Sequence, residues 1–150
     1  MRIQDVQDAP GIQSNFFVDY RGQSKENLFL AGGWGMRDVR GPYIISAAGT
    51  IRIDGRLLSR SVESKLTLSL EASNRLAAAA ILVTAICERR KKTIIIVRNQ
   101  SVTIEFPATV RGPSEHFDLA IHVPESGAAS AASLRDVVAL NWLSISRRIG

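Results

Sequence analysis

Apolar and polar residues alternate along much of this chain with a period of two. In "KLTLSLEA" Leu66, Leu68 and Leu70 fall on one side of an extended backbone, and Thr67 and Ser69 fall on the other. "SVTIEF" repeats the pattern with Val102, Ile104 and Phe106 against Thr103 and Glu105. "HFDLAIHV" is cleaner still, with Phe117, Leu119, Ile121 and Val123 on one face and His116, Asp118, Ala120 and His122 on the other. Successive side chains of a strand point to opposite faces, so these segments predict half-buried strands. "VVALNWLSIS" near the end is apolar on both faces, as a central strand covered on each side should be.

Turn chemistry divides the strands. "TIIIVRNQSVTIEF" reads as a hairpin turning near Asn99 and Gln100, and "TIRIDGRLL" as another with Asp54-Gly55 at a tight turn. Pro107, Pro113 and Pro124 fall where strands should stop. "EASNRLAAAAILVTAICERR" carries both signals: Ser73 or Asn74 could cap a helix, whereas Ile81–Cys87 is rich in β-branched residues. The reading adopted is a helical turn or loop through Asn74–Ala80, then a strand over Ile81–Cys87; period alone leaves strand and helix both open there. Pro124–Asp136 reads as a small-residue loop with one helical turn beginning near Ser130 or Ser133. About seven to nine short strands imply an all-β fold, an antiparallel β-sandwich of jelly-roll-like type with at most one or two short helical turns. Residues 27–150 form the expected single sandwich domain, and residues 1–26 an N-terminal extension or first strand.

Composition narrows this picture. With 150 residues, 45% hydrophobic and 22% charged, the chain suits one soluble globule with a real core. The apolar run Leu76–Cys87 is too short to span a bilayer, and the polar opening "MRIQDVQDAPG" is no secretory leader, so a cytoplasmic setting is expected. Cys87 is the only cysteine, which excludes an intrachain disulfide and a cysteine-based zinc site. The net charge of +5 and pI near 10.0 permit a polyanion partner. One dense cluster, Arg89, Arg90, Lys91 and Lys92, is the candidate, with Arg147 and Arg148 further on. Its plainer reading is a solvated turn between apolar strands, where like charge discourages edge-to-edge aggregation. Few aromatic residues are available to stack bases, so a nucleic-acid partner is not expected.

Catalytic patterns are not found. His116 and His122 share a strand face but stand roughly 20 Å apart at the usual rise per residue, too far for one metal ion. Asp118 lies between them and could pair with His116. Cys87 ends an apolar strand and reads as a buried structural thiol, lowered in pKa only if Arg89 and Arg90 are close. No nucleophile elbow, phosphate loop or zinc-protease motif is present, and no cofactor or metal is expected. The reading leans away from an enzyme.

The stretch "NLFLAGGWGMRDVRGPY", Asn27–Tyr43, is the chemically unusual one. It reads as a glycine-rich loop presenting Trp34, Arg37, Asp38 and Tyr43, which could set an aromatic face against a sugar ring and bond its hydroxyls. The competing reading folds Trp34 over one end of the sandwich and joins Arg37 to Asp38 as a local ion pair. Gly32, Gly33 and Gly35 leave little bulk around Trp34, so it is expected partly exposed at one end, with Arg37 or Asp38 near the ring.

"LFLAGGWGMRDVRGPYIISAAGTIRI" resembles the opening of β-sandwich modules found with bacterial polysaccharide glycosyltransferases, modules that themselves resemble carbohydrate-binding jelly rolls. Trp34, Asp38 and Tyr43 match their Gly-Trp pair, following acidic residue and second aromatic. "IIIVRNQSVTIEFP" resembles their central hairpin, though Gln100 stands where Gly is usual, and "SLRDVVALNWLSIS" resembles their closing segment. The resemblance covers most of the chain from Asn27 onward and leaves the first 26 residues unmatched. It implies a non-catalytic glycan-binding or polysaccharide-assembly accessory module, with a glycan or a glycosyltransferase as partner. A second reading is an interaction protein that forms a homo-oligomer or docks a partner through sheet faces or edges, because "TIIIV" and "VVALNWL" are apolar on both faces.

Overall fold

The computed structural model describes residues 2–3, 13–58, 61–124 and 137–149. Among them the strands are β1 (Arg2–Ile3), β2 (Gln13–Asp19), β3 (Trp34–Asp38), β4 (Gly41–Ile44), β5 (Ala48–Asp54), β6 (Ser61–Ala72), β7 (Ala80–Cys87), β8 (Arg90–Val97), β9 (Ser101–Pro107), β10 (His116–His122) and β11 (Val138–Ile149). One helical turn, α1 (Gly55–Leu58), follows β5. The strands make two antiparallel sheets, an all-β sandwich as the alternation predicts. One sheet runs β1-β2-β11-β6-β9, with the β3–β4 hairpin joining it at the start of β11; the other runs β5-β10-β7-β8.

The core forms where the alternating positions of both sheets meet. Leu66, Leu68 and Leu70 of β6 face Phe117, Leu119 and Ile121 of β10 and Ile81, Val83 and Ala85 of β7 within one buried cluster. β11 is paired along both flanks, to β2 through Trp142–Arg148 and to β6 through Val138–Ile149. Its polar Asn141 is nearly fully buried yet satisfied, donating to the Arg40 carbonyl and accepting from the Ser69 hydroxyl. Within residues 1–26, β2 supplies Phe16 and Val18 to the core. Ile81–Cys87 is strand, inside β7, and Asn74–Ala79 is irregular. The helical turn expected near Ser130 or Ser133 lies outside the described residues.

Three local expectations are corrected. The chain does turn at Asn99, whose φ is 65°, but β8 and β9 do not pair: β8 stays beside β7 and β9 joins β6 in the other sheet. Asp54-Gly55 likewise makes no hairpin; β5 pairs with β10, and α1 carries the chain across to β6. Turn residues dictate a reversal of the chain, not the sheet that receives it. The stretch from Trp34 to Tyr43, read as a loop, is the antiparallel β3–β4 hairpin.

The two lateral sides of the sandwich differ. On one, residues 29–33 run along the free edge of β5: Arg52 donates to the Phe29 carbonyl, Ala31 to Thr50, and Thr50 to Gly32. Gly33 then hands the chain to β3 at φ 92°, where a Cβ would lie 1.8 Å from the Ala48 carbonyl oxygen, so only glycine fits. On the other side β8 and β9 are the outermost strands of their sheets. There Lys92 crosses between them, donating to the Glu105 carbonyl with its ammonium 5.0 Å from the centre of the buried Phe106 ring.

Candidate functional site

The β3–β4 hairpin carries a bulge at Met36, between Gly35 opposite Tyr43 and Arg37 opposite Pro42. An unbroken strand would set Trp34 and Arg37 on opposite faces. The extra residue puts both on the inner side, in register with Ile44 and Pro42, while Asp38 and Tyr43 turn outward. The four candidate residues therefore divide into two pairs.

Trp34 is half-buried against the core. Its indole Nε1–H donates to the Thr50 carbonyl at 2.9 Å, the same oxygen that accepts from Ala31. The ring rests on Gly49, where a Cβ would stand 2.8 Å from it. Arg37 donates to the carbonyls of Ser24 and Glu26, each at 2.8 Å, and to Asn27 Oδ1 at 2.6 Å. The Arg37–Asp38 ion pair of the competing reading is not formed; Arg37 instead fastens the 24–27 segment beside the indole. Between them lies a recess of about 270 Å³ lined by Asn27, Trp34, Gly35, Met36, Arg37 and Pro42.

On the outer side, Tyr43 is fully buried and its hydroxyl donates to Asp38 Oδ2 at 2.7 Å. Burial, reinforced by that carboxylate, pushes the Tyr43 phenol pKa up. Arg40 bridges Asp38 at 3.2 Å and Glu71 at 2.8 Å, and Arg75 lies 5.0 Å over the Tyr43 ring. Asp38 and Tyr43 thus belong to a satisfied polar network that ties the hairpin to β6 and β11.

The remaining candidates are dispersed. His116 and His122 are exposed, and Asp118 pairs with Arg52 of β5 at 2.9 Å rather than with His116. Cys87 is buried, and burial pushes its thiol up to about 11. Arg89, Arg90, Lys91 and Lys92 are exposed at and after the β7–β8 turn. Among the described residues no group of three or more His, Cys, Asp or Glu is placed to hold a metal ion. Among the described residues no helix is long and apolar enough to cross a membrane. Sequence reasoning missed Asn27 and Met36, since neither is unusual until the bulge and the Arg37 bonds bring them to the indole.

No protein-family model matches the chain, and no curated protein matches it in sequence. Solved structures resemble it in fold. One is dimeric latent PorU from Porphyromonas gingivalis, with a TM-score of 0.54 and 11% identity, matched over 97% of this chain and 14% of that one. A second is the CBM36-1 domain of a multidomain xylanase from the hindgut metagenome of Trinervitermes trinervoides, with a TM-score of 0.51 and 11% identity over 87% of this chain and 95% of that one. A third is a family two carbohydrate esterase from Cellvibrio japonicus, with a TM-score of 0.51 and 11% identity, covering 92% of this chain and 35% of that one. This chain therefore spans a small part of PorU and about a third of the esterase, and the likeness is one of β-sandwich architecture.

Proposed function

We propose that this sandwich is a non-catalytic glycan-binding module, serving as an accessory to polysaccharide assembly in a cytoplasmic setting beside a glycosyltransferase. The observation that carries it is the Trp34 recess: an indole held by a backbone hydrogen bond, flanked by an arginine and an amide, on a fold shared with a carbohydrate-binding domain. A fixed aromatic face suits the apolar face of a pyranose, and the flanking donors suit its hydroxyls. Trp34, Asn27 and Arg37 would touch the sugar. Asp38 and Tyr43 would act behind them, by holding the hairpin in shape. Titrating a Trp142→Phe variant with neutral and acidic bacterial oligosaccharides, and following the emission of Trp34, tests this. A saturable change that Trp34→Ala removes from a calorimetric titration supports the reading; no response to any glycan by folded protein sinks it.

A second reading, self-association, is favoured by one observation. Leu82 and Ile95 are direct partners on β7 and β8 and remain 54% and 62% exposed, with Val97 beside them at 43%. That ridge is continuous with the outermost strand of its sheet. Sedimentation showing a dimer that Ile95→Lys dissociates would support it, and a monomer at micromolar concentration would end it.

A further inference from the structure

At the end of the sandwich away from Trp34, the β7–β8 turn and the β9–β10 connection enclose a groove of about 710 Å³. Its walls carry Glu88, Arg89 and Arg90 from one side and Thr109, Val110, Arg111 and Glu115 from the other. The second wall is anchored. Ala108 donates to the Ser64 carbonyl, Val110 packs on the core, and Gly55 sits so close beneath that a Cβ would lie 2.1 Å from the Glu115 carbonyl oxygen.

Several arginines outside the groove are already engaged. Arg21, Arg40, Arg52 and Arg56 each lie within 3.2 Å of a carboxylate, and Arg37 and Arg147 are held by backbone carbonyls. The guanidiniums of Arg89, Arg90 and Arg111 meet no acceptor among the described residues. Glu115 Oε2 accepts the Arg111 backbone N–H at 3.1 Å and Glu88 sits in the turn itself at φ 51°; neither is ion-paired with these arginines, and the lining keeps a positive charge in excess. Three arginines thus line one concave surface with their guanidinium hydrogen bonds unspent. Guanidinium matches carboxylate and sulfate oxygens two at a time, which an ammonium cannot do.

From this we infer that the groove binds an anionic polysaccharide, gripping carboxylate or sulfate groups along its chain. The volume falls within the usual range for ligand sites. No aromatic side chain lines it, so bases find no stacking platform there and recognition rests on anionic groups alone. Lys91 and Lys92, next along the chain, extend the positive field beyond the groove without adding another acid. The inference does not rest on the Trp34 recess, which lies near the opposite ends of β5 and β7.

Affinity electrophoresis and calorimetry of the intact protein with polygalacturonate, dextran sulfate, neutral dextran and a single-stranded DNA oligonucleotide test it. Polygalacturonate should bind, weaken as salt rises because exposed charge is screened, and lose about tenfold or more in affinity in Arg89→Gln/Arg90→Gln/Arg111→Gln. Arg21→Gln, at an arginine that is paired with Asp19 and lines no part of the groove, should leave that binding unchanged, which ties the loss to the three groove arginines. Binding of dextran sulfate with the same arginine dependence, even in place of polygalacturonate, also supports the site and names the ester as the anion. The proposal is overturned if neither anionic polymer binds, if the arginine variant binds as well as the parent, if neutral dextran competes equally, or if the oligonucleotide binds more tightly than both polymers. Arg111→Gln alone, which keeps the backbone bond to Glu115, serves if the triple variant does not fold.

Discussion

Along the β5 side of the sandwich main chain lies over the gap between sheets, and along the β8–β9 side, beyond the Arg98–Gln100 crossing, the Lys92 side chain reaches across it. Residues 29–33 give the β5 edge a run of backbone hydrogen bonds, leaving it no longer a free template. Lys92, by contrast, sets its ammonium over the Phe106 ring and holds a positive charge over the strand edges. Backbone closure is rigid and demands glycine. Side-chain closure tolerates almost any sequence beneath it but discourages association by charge alone.

The backbone closure is most vulnerable at Gly33. Gly33→Ala must accept a φ of 92° and a clash with the Ala48 carbonyl, so we expect a loss of about 3 kcal/mol in urea unfolding. A loss under about 1 kcal/mol would mean that the backbone closure bends easily.

Cys87, facing Arg90 across β7 and β8, reports on the other side. Its pKa is raised from 9.0 to about 11, chiefly by burial, so the folded protein keeps the thiol protonated where the unfolded chain releases it. The resulting stabilisation is complete below pH 9.0 and is lost as pH rises toward 11. At pH 8, reaction with an aromatic disulfide should run at least about 100-fold slower than in the denatured chain, counting the thiolate fraction alone. A native rate near the denatured one would show that the lysine-guarded side opens freely.

Gly49→Ala sharpens the contrast from within. Its Cβ would stand 2.8 Å from the indole, so Trp34 must shift; about 1 to 2 kcal/mol should be lost, with red-shifted emission. Smallest in stability is Lys92→Ala, within about 0.5 kcal/mol by thermal unfolding. Its signature is self-association, seen as a rising sedimentation coefficient with concentration; unchanged sedimentation would remove the guarding role.

Much of this architecture was legible because half-buried strands leave a period of two. β6, β9 and β10 follow it, and Asn99 marks a real turn. The sheet each strand enters was not legible, since that choice depends on partners remote in sequence: β9 on β6, and β11 on both β2 and β6. At the candidate site, Trp34 was conspicuous by its glycines. The bulge that swaps the faces of Arg37 and Asp38 leaves no mark in composition, because Met36 is an ordinary residue. The groove is harder still. Arg89 and Arg90 form a visible cluster, but Arg111 stands alone between Val110 and Gly112, and only folding brings it opposite them.

The double pairing of β11 bears on how the molecule is made. Every partner of β11 precedes it in the chain: β2, β4 and β6 must all wait for residues 138–149 before their sheet is complete. During synthesis the apolar faces of β2 and β6 stand without their central neighbour while most of the chain is already outside the ribosome. Pairings so distant in sequence make for slow folding, because a long loop must close before they reward it. Nascent chains released before Val138 should therefore hold exposed strand edges and depend on chaperones, whereas chains carrying Ile145 and beyond can close the sheet in one step.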